Sequence, residues 1–390
     1  VTRQYDICVV GGGIQGCGVA QAAVAAGYSV VLLEKTSLAS ATSSRSSKLI
    51  HGGLRYLESG QFQLVAESIR ERELLINNAP GLVRRVPFYI PLYKHTSRKS
   101  WQIFLGLSLY ALFGRLKALA CFRRLPEKDW SQLDGLTEKN LKSVYQYTDA
   151  QTDDVKLTRA VMHSAVELGA ELICPARFQA ACYENKTYTV TYEKDNQVLD
   201  LSCRVLINAT GPWVNEIQKR ISPQVEETPI ELVQGAHIII RQPAPKGVYY
   251  VESPSDRRAV FIMPWYGHTM IGTTETPFEG DPAKIEPTEH ELDYLQNIVK
   301  YYFPSYDDQI IHSFAGVRVL PKDKGSMFNR TRETVYFTAP GLPGYIALMG
   351  GKLTGYRATA EKVMEMSRAF LSVKEPVADT REIMLEEIIE

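Results

Sequence analysis

The stretch YDICVVGGGIQGCGVAQAAVAAGYSVVLLEK runs from Tyr5 to Lys35. Ile7 to Val10 is a short apolar run closed by glycines, the pattern of a buried strand. Gly11, Gly13 and Gly16 then give GxGxxG. The Ala-rich residues from Gln15 to Ala26 predict a helix with Gly27 as its stop, and SVVLLE predicts a second buried strand ending in Glu34. Each residue type has a physical task here. Gly11 permits the tight turn, Gly13 lets the backbone approach a pyrophosphate, and Gly16 lets helix and strand pack closely. The helix N-terminus faces the phosphates, and Glu34 accepts from ribose hydroxyls. Strand, glycine turn, helix, strand and acid in this order predict a dinucleotide site; the competing reading is a glycine-rich turn without a ligand.

The rest of the chain sets bounds on that reading. A length of 390 residues is enough for two or three core-forming units. Hydrophobic content of 45% and charged content of 23% fit an ordinary globular protein. Forty-four basic and 44 acidic side chains balance to zero, so no general attraction to nucleic acid is expected. Cys8, Cys17, Cys121, Cys174, Cys182 and Cys203 show no CxxC spacing and read as buried thiols in a reducing compartment, with no metal site. Val1 leads almost at once into a core-type strand, so no leader peptide is expected. WQIFLGLSLYALFG, Trp101 to Gly114, falls short of the roughly 20 apolar residues a membrane span needs. Its flanks hold Arg98, Lys99, Arg115, Lys117, Arg123 and Arg124 and no acid. It reads either as a core helix with solvated ends or as a helix lying on an anionic membrane surface.

After the first unit come TSSRSSK, Thr42 to Lys48, and SSKLIHGGLRYLE, Ser46 to Glu58. The hydroxyl-rich part can donate hydrogen bonds to a phosphate or ribose. The second part gathers a histidine, an arginine and a tyrosine around Gly52 and Gly53. Further on, YTVTYEKDNQVLDLSCRVLINATGPWV alternates on both sides of a Lys-Asp-Asn turn and predicts antiparallel strands. The last of them ends in Ala209-Thr210-Gly211, where small residues let the backbone approach a ligand. KLTRAVMHSAVELGAELICPARF predicts a helix stopped at Gly169 and then a strand. The excursion from about Ala79 to Ala150 reads as helix-rich and irregular. VQGAHIIIR, GVYYVES and AVFIMPWYGHTMIGTT predict an antiparallel substrate sheet. PTEHELDYLQNIVKYYF predicts a helix with Thr288 as N-cap and Glu291 closing a capping box. The chain returns through SFAGVRVLP and GYIALMGGKLTGYRATAEKVMEMSRAF, a strand, a Gly-Gly turn and a helix.

VVGGGIQGCGVA, ATSSRSSKLIHGGLRYLE, LINATGPWV, IGTTE, AGVR and GGKLTGYR, in this order from Tyr5 to about Phe370, closely resemble the FAD-dependent glycerol-3-phosphate dehydrogenases of the D-amino-acid-oxidase-like flavoprotein superfamily. The resemblance implies an α/β fold: a Rossmann-like FAD-binding domain in discontinuous segments plus an antiparallel-sheet substrate domain. FAD-binding segments are expected at 1–78, 151–218 and 316–372, substrate segments at 79–150 and 219–315, and a tail at 373–390. The family commonly carries a further helical domain where this chain ends in VADTREIMLEEIIE, and a second threonine after GGKLT where this chain has Gly355.

The resemblance implies oxidation of sn-glycerol 3-phosphate to dihydroxyacetone phosphate, with a hydride passing to flavin N5 and electrons onward to a quinone. A cytoplasmic protein in peripheral contact with the inner face of the cell membrane, and a homodimer, go with it. For FAD it implies Gly11, Gly13, Ile14, Gly16, Glu34, Lys35, Thr42, Ser43, Ser44, Ser47, Lys48, Leu49, Gly53, Phe178, Ala209, Thr210, Gly211, Trp213, Gly350, Gly351 and Leu353. A base must titrate near neutrality and reach the alcohol, which favours His51, with His237 in GAHIII as the second candidate. Arg318 is assigned to the alkoxide. Arg55 and Tyr56, one helical turn past His51, join Thr274, Lys352 and Thr354 around the substrate, because a dianionic phosphate needs several cationic or hydroxyl donors. The helix after Gly350-Gly351 would turn its N-terminus to the flavin carbonyl. A related flavoprotein acting on a small hydroxy or amino acid, and a flavin sensor without catalysis, are the competing functions.

Overall fold

Four parallel strands, each followed by a small or acidic residue, make the centre of the computed structural model. It describes residues 3–57, 60–114, 122–322 and 334–388, without the side chain of Arg55. Arg3–Val10 lies parallel to Val30–Leu33 on one side and to Gln197–Asn208 on the other, and the last pairs in parallel with Leu342–Met349. Their central residues are buried on both faces, which is why Ile7–Val10 and Val30–Leu33 read as unbroken apolar runs. In register, Val10 stands beside Leu33 and Asn208, and Asn208 beside Ala347. The residues that follow these ends therefore share one edge of the sheet, where ligands of open α/β sheets bind.

The helices are α1 (Ile14–Ala25), α2 (Phe62–Asn78), α3 (Ser100–Phe113), α4 (Asp154–Glu167), α5 (Val214–Gln218), α6 (Glu289–Tyr302) and α7 (Tyr356–Ser367). α1, α4 and α7 share one apolar core with the parallel strands: Val19, Ala23, Leu157, Val161, Ala360 and Val363 are all fully or almost fully buried. The capping box of α6 is formed as expected, with Thr288 accepting from the Glu291 N–H and Glu291 accepting from the Thr288 N–H. The hairpin Thr187–Lys194 with Gln197–Asn208 also forms as expected. Its Asp195 and Asn196 both have positive φ, the requirement of a tight hairpin turn.

A second sheet is built on Ile230–Pro243 paired antiparallel with Ile310–Pro321 along most of their length. It continues through His268–Gly272, Ala259–Trp265 and Val248–Glu252. Two expectations are corrected here. The excursion from Ala79 to Ala150 is not mainly helical: Val83–Tyr93 and Leu141–Thr152 form a long antiparallel pair. Pro87 and Pro91 disguise the first strand. They stand four apart, so both missing N–H groups fall on one strand edge, and the partner sequence LKSVYQYTDAQT looks too polar to be a central strand. The boundary between 315 and 316 falls inside a strand, since Val319 and Pro321 still pair with Leu232 and Ile230. Leu49–Ile50, in the first expected cofactor segment, likewise pairs with the second sheet. The boundaries are blurred because the chain crosses between sheets within single strands and turns, with no linker to mark the change.

Candidate cofactor and substrate site

A cavity of about 660 Å³ lies between the strand ends of the first sheet and the face of the second. Its floor is the fingerprint. Gly11 has φ +111°, and a Cβ on Gly16 would fall 1.9 Å from the Gly11 carbonyl oxygen, so neither position accepts a side chain. Glu34 ends its strand here: one carboxylate oxygen accepts from the Gly12 N–H at 2.8 Å, the other from the Thr36 N–H at 2.8 Å. A carboxylate retains lone pairs for ribose hydroxyls after these two bonds. Gly13, Ile14, Lys35, Phe178, Ala209, Thr210, Gly211 and Trp213 line the same end, with the Lys35 ammonium 3.5 Å from the Trp213 ring centre. Gly350, Gly351, Lys352, Leu353 and Thr354 line the other.

The loop 42–48 ties the two sheets together, and its donors divide. Ser43 and Ser47 face the cavity; the Ser43 hydroxyl accepts from the Ile14 N–H at 2.9 Å, and Ser47 Oγ lies 2.9 Å from His237 Nε2. Thr42 also lines the cavity, but its hydroxyl donates to the Val317 carbonyl at 2.8 Å. Ser44 and Lys48 do not reach it. The Ser44 hydroxyl donates to Ala41, and the buried Lys48 ammonium pairs with Asp154 at 2.6 Å. The same carboxyl accepts from the Ser46 hydroxyl at 2.7 Å. Lys48 is thus a structural cation, placed there because Asp154 at the start of α4 needs a partner in a dry site.

Around the mouth, His51, Tyr56, Arg318, Lys352 and Thr354 line the cavity together. The His51 N–H donates to Thr354 Oγ1 at 3.2 Å. Lys352 Nζ sits 3.9 Å from the Tyr56 ring centre, a cation held over an aromatic face. Arg318 donates to Glu275 at 3.2 Å and to the Thr273 hydroxyl at 3.3 Å. Leu49 lines the cavity, whereas Gly53 is buried behind the loop against the Tyr56 ring. Arg55 lies in the single turn Leu54–Leu57, and its side chain is outside the described residues. Thr274 is corrected: it is buried, donates to Glu291 at 2.6 Å and accepts from the Ala236 N–H at 2.8 Å, and it does not line the cavity. Its neighbour Thr273 is the one beside Arg318, a distinction of strand facing that the doubled threonine hides.

His237 also lines the cavity, buried and stacked on Phe314 with ring centres 4.9 Å apart. Burial, then Arg318 and Lys48, push its pKa well below the ordinary histidine value, so it is neutral at neutral pH. Its Nδ1 and the Oε1 of Gln15, which lines the cavity too, have no hydrogen-bond partner among the described residues. Gln15, Arg45 and the facing pair Gly235 and Gly316 escape notice in the sequence. Arg45 reaches across to the Ala315 carbonyl at 3.0 Å, and nothing in a run of serines signals that bond.

A glycine-floored phosphate cradle, an acid at its edge and a charged mouth where the second sheet meets the first define a dinucleotide-dependent oxidoreductase. The profile of the FAD dependent oxidoreductase family matches residues 6–357, and the chain belongs to that family. It is 36% identical over 379 residues to the glycerol-3-phosphate dehydrogenase of Pseudomonas tolaasii, covering 95% of this chain and 73% of that one. It is 36% identical over 366 residues to the D-erythritol 1-phosphate dehydrogenase of Brucella abortus, covering 92% and 72%. The crystal structure of the glycerol-3-phosphate dehydrogenase from Bacillus halodurans, complexed with FAD, superposes with a TM-score of 0.76 at 29% identity over 98% of this chain and 68% of that one. FAD is the cofactor, and the glycine cradle and the Glu34 carboxylate fit it.

Proposed function

We propose that this chain oxidises the secondary alcohol of sn-glycerol 3-phosphate to dihydroxyacetone phosphate and passes the electrons on to a quinone. The observation that carries the reading is the convergence of His51, Arg318 and Lys352 from three distant segments on one cavity mouth. Bound FAD supplies the hydride acceptor. His51 takes the hydroxyl proton, in a loop tied by its own N–H to Thr354. Arg318, oriented by Glu275 and Thr273, stabilises the developing alkoxide. Lys352, steered by the Tyr56 ring, and Arg55 hold the phosphate. Similarity to dehydrogenases of two polyol phosphates supports a phosphorylated alcohol over a hydroxy or amino acid, for which one cation would suffice.

His237 is the second candidate base; its neutral state favours that reading. For membrane contact, we propose α3 as the surface. Ile103, Leu107, Tyr110 and Ala111 face the interior, while Trp101, Phe104, Leu105 and Leu112 are 63%, 55%, 53% and 57% exposed. No described helix is long and apolar enough to cross a membrane, so α3 would lie flat, with Lys99, Arg123 and Arg124 nearby in the chain.

The test is an anaerobic titration of the FAD-loaded protein with glycerol 3-phosphate, followed by flavin absorbance. Bleaching by glycerol 3-phosphate, and not by 2-hydroxy or amino acids, is expected. Bleaching by the acids alone would overturn the substrate, and no bleaching at all would support a non-catalytic flavin module.

A further inference from the structure

Three buried polar side chains meet behind the loop that carries His51, and none of them lines the cavity. Arg72 comes from α2, Tyr110 from α3 and Asp149 from the strand Leu141–Thr152. Each is 2% exposed or less. The Tyr110 hydroxyl donates to Asp149, 2.8 Å from each carboxylate oxygen. It accepts from Arg72 at 3.1 Å and from the backbone N–H of Gly52 at 2.8 Å. One proton and two lone pairs are thereby all used. Burial holds the phenol well above its ordinary pKa, so it stays protonated and the direction of these bonds is fixed. Arg72 is ion-paired to Asp149 and to Glu73.

A buried charged network of this kind is weak evidence for stability, because apolar residues of similar volume would pack at least as favourably. What it specifies is the place of one peptide N–H. Gly52 follows His51, and a Cβ there would fall 2.5 Å from the Tyr110 hydroxyl and 2.6 Å from Ile69, so only glycine lets the amide come this close. On the other side, the His51 N–H is tied to Thr354. The peptide groups before and after the His51 Cα are therefore both anchored, one to the turn after the first sheet, the other to Tyr110. Fixing both restrains the φ and ψ of His51 and so the position of its Cβ, from which the imidazole projects.

We infer that Tyr110, held by Arg72 and Asp149, is a positioning residue for His51, acting through the Gly52 amide. The inference rests on the reading of His51 as the base. The experiment is anaerobic stopped-flow reduction of the FAD-loaded protein by glycerol 3-phosphate in wild type, Tyr110→Phe, His51→Gln and the double variant. Tyr110→Phe is expected to lower the limiting reduction rate by about 10- to 100-fold. FAD content and the half-saturating substrate concentration should stay within about twofold. In the His51→Gln background, Tyr110→Phe should have less than about a twofold further effect. A slowing as large in that background as in wild type, or a parallel loss of FAD and rate, would make the network merely structural. A His51→Gln protein as fast as wild type would remove the reading of the base. A slow His51→Gln beside a normal Tyr110→Phe would remove only this inference. Asp149→Asn, which keeps an acceptor for the hydroxyl but discharges the Arg72 pair, carries the same cycle if the protein without the hydroxyl fails to fold.

Discussion

Lys48 illustrates how a residue's type can be read correctly and its task wrongly. A lysine among serines beside a dinucleotide fingerprint suggests a phosphate donor. In the fold its ammonium is spent on Asp154, which no local pattern announces. Asp154→Ala should therefore leave a buried, unpaired cation and cost about 3–5 kcal/mol in chemical unfolding. His237 makes a second residue-scale prediction. Its folded-state pKa is depressed, so the unfolded chain binds the extra proton first as pH falls. The stability contributed by the neutral imidazole is complete above the unfolded value, about pH 6.5, and is lost as pH falls below it. Thermal melting followed from about pH 7.5 to 5.5 should drop more steeply in wild type than in His237→Gln. Equal slopes would mean that His237 is not the buried neutral group described.

Helix α3 was legible as a helix from WQIFLGLSLYALFG, but its periodicity could not say which side is inside. An apolar residue at nearly every position fits a core helix and a surface helix equally well. Packing answers by covering one side only, against Leu54, Leu57 and the strands behind them. Phe104→Glu and Leu105→Glu on the exposed side should lower co-sedimentation with anionic vesicles by about tenfold or more, while flavin reduction by glycerol 3-phosphate stays unchanged. High salt should weaken the wild-type attachment only in its electrostatic part. Unchanged sedimentation of both variants would place any lipid contact elsewhere. The strand Val83–Tyr93 shows the opposite case, an element that the sequence hides. Its prolines argue against a central strand, and only the long partner Leu141–Thr152 makes the assignment plain.

At the scale of the molecule, the cavity exists because loop 42–48 holds the second sheet against the strand ends of the first. Gly316 is where they touch: a Cβ there would lie 2.8 Å from the Arg45 Cβ and 2.9 Å from its carbonyl oxygen. Gly316→Val should push the loop off the sheet, destabilise the protein by about 1–3 kcal/mol and lower retained FAD, measured as the flavin-to-protein absorbance ratio after gel filtration. A variant with full FAD and wild-type melting would show that the sheets tolerate separation at this point.

The fingerprint from Tyr5 to Lys35 reports its structure in full because its signals are local: strand, turn, helix and acid lie within a few residues of one another, and each glycine answers a nearby steric need. The resemblance of SSKLIHGGLRYLE, AGVR and GGKLTGYR to one family named His51, Arg318 and Lys352 as candidates and implied their meeting at one site. The placements of Thr274 and Lys48 outside the cavity lining were not legible. Those depend on which face of a strand a residue occupies and on which distant carboxylate reaches it first, Glu291 for the threonine and Asp154 for the lysine. Pairing between segments a hundred residues apart leaves no periodic trace in the chain, so facing and partner choice appear only once the two sheets have closed on each other.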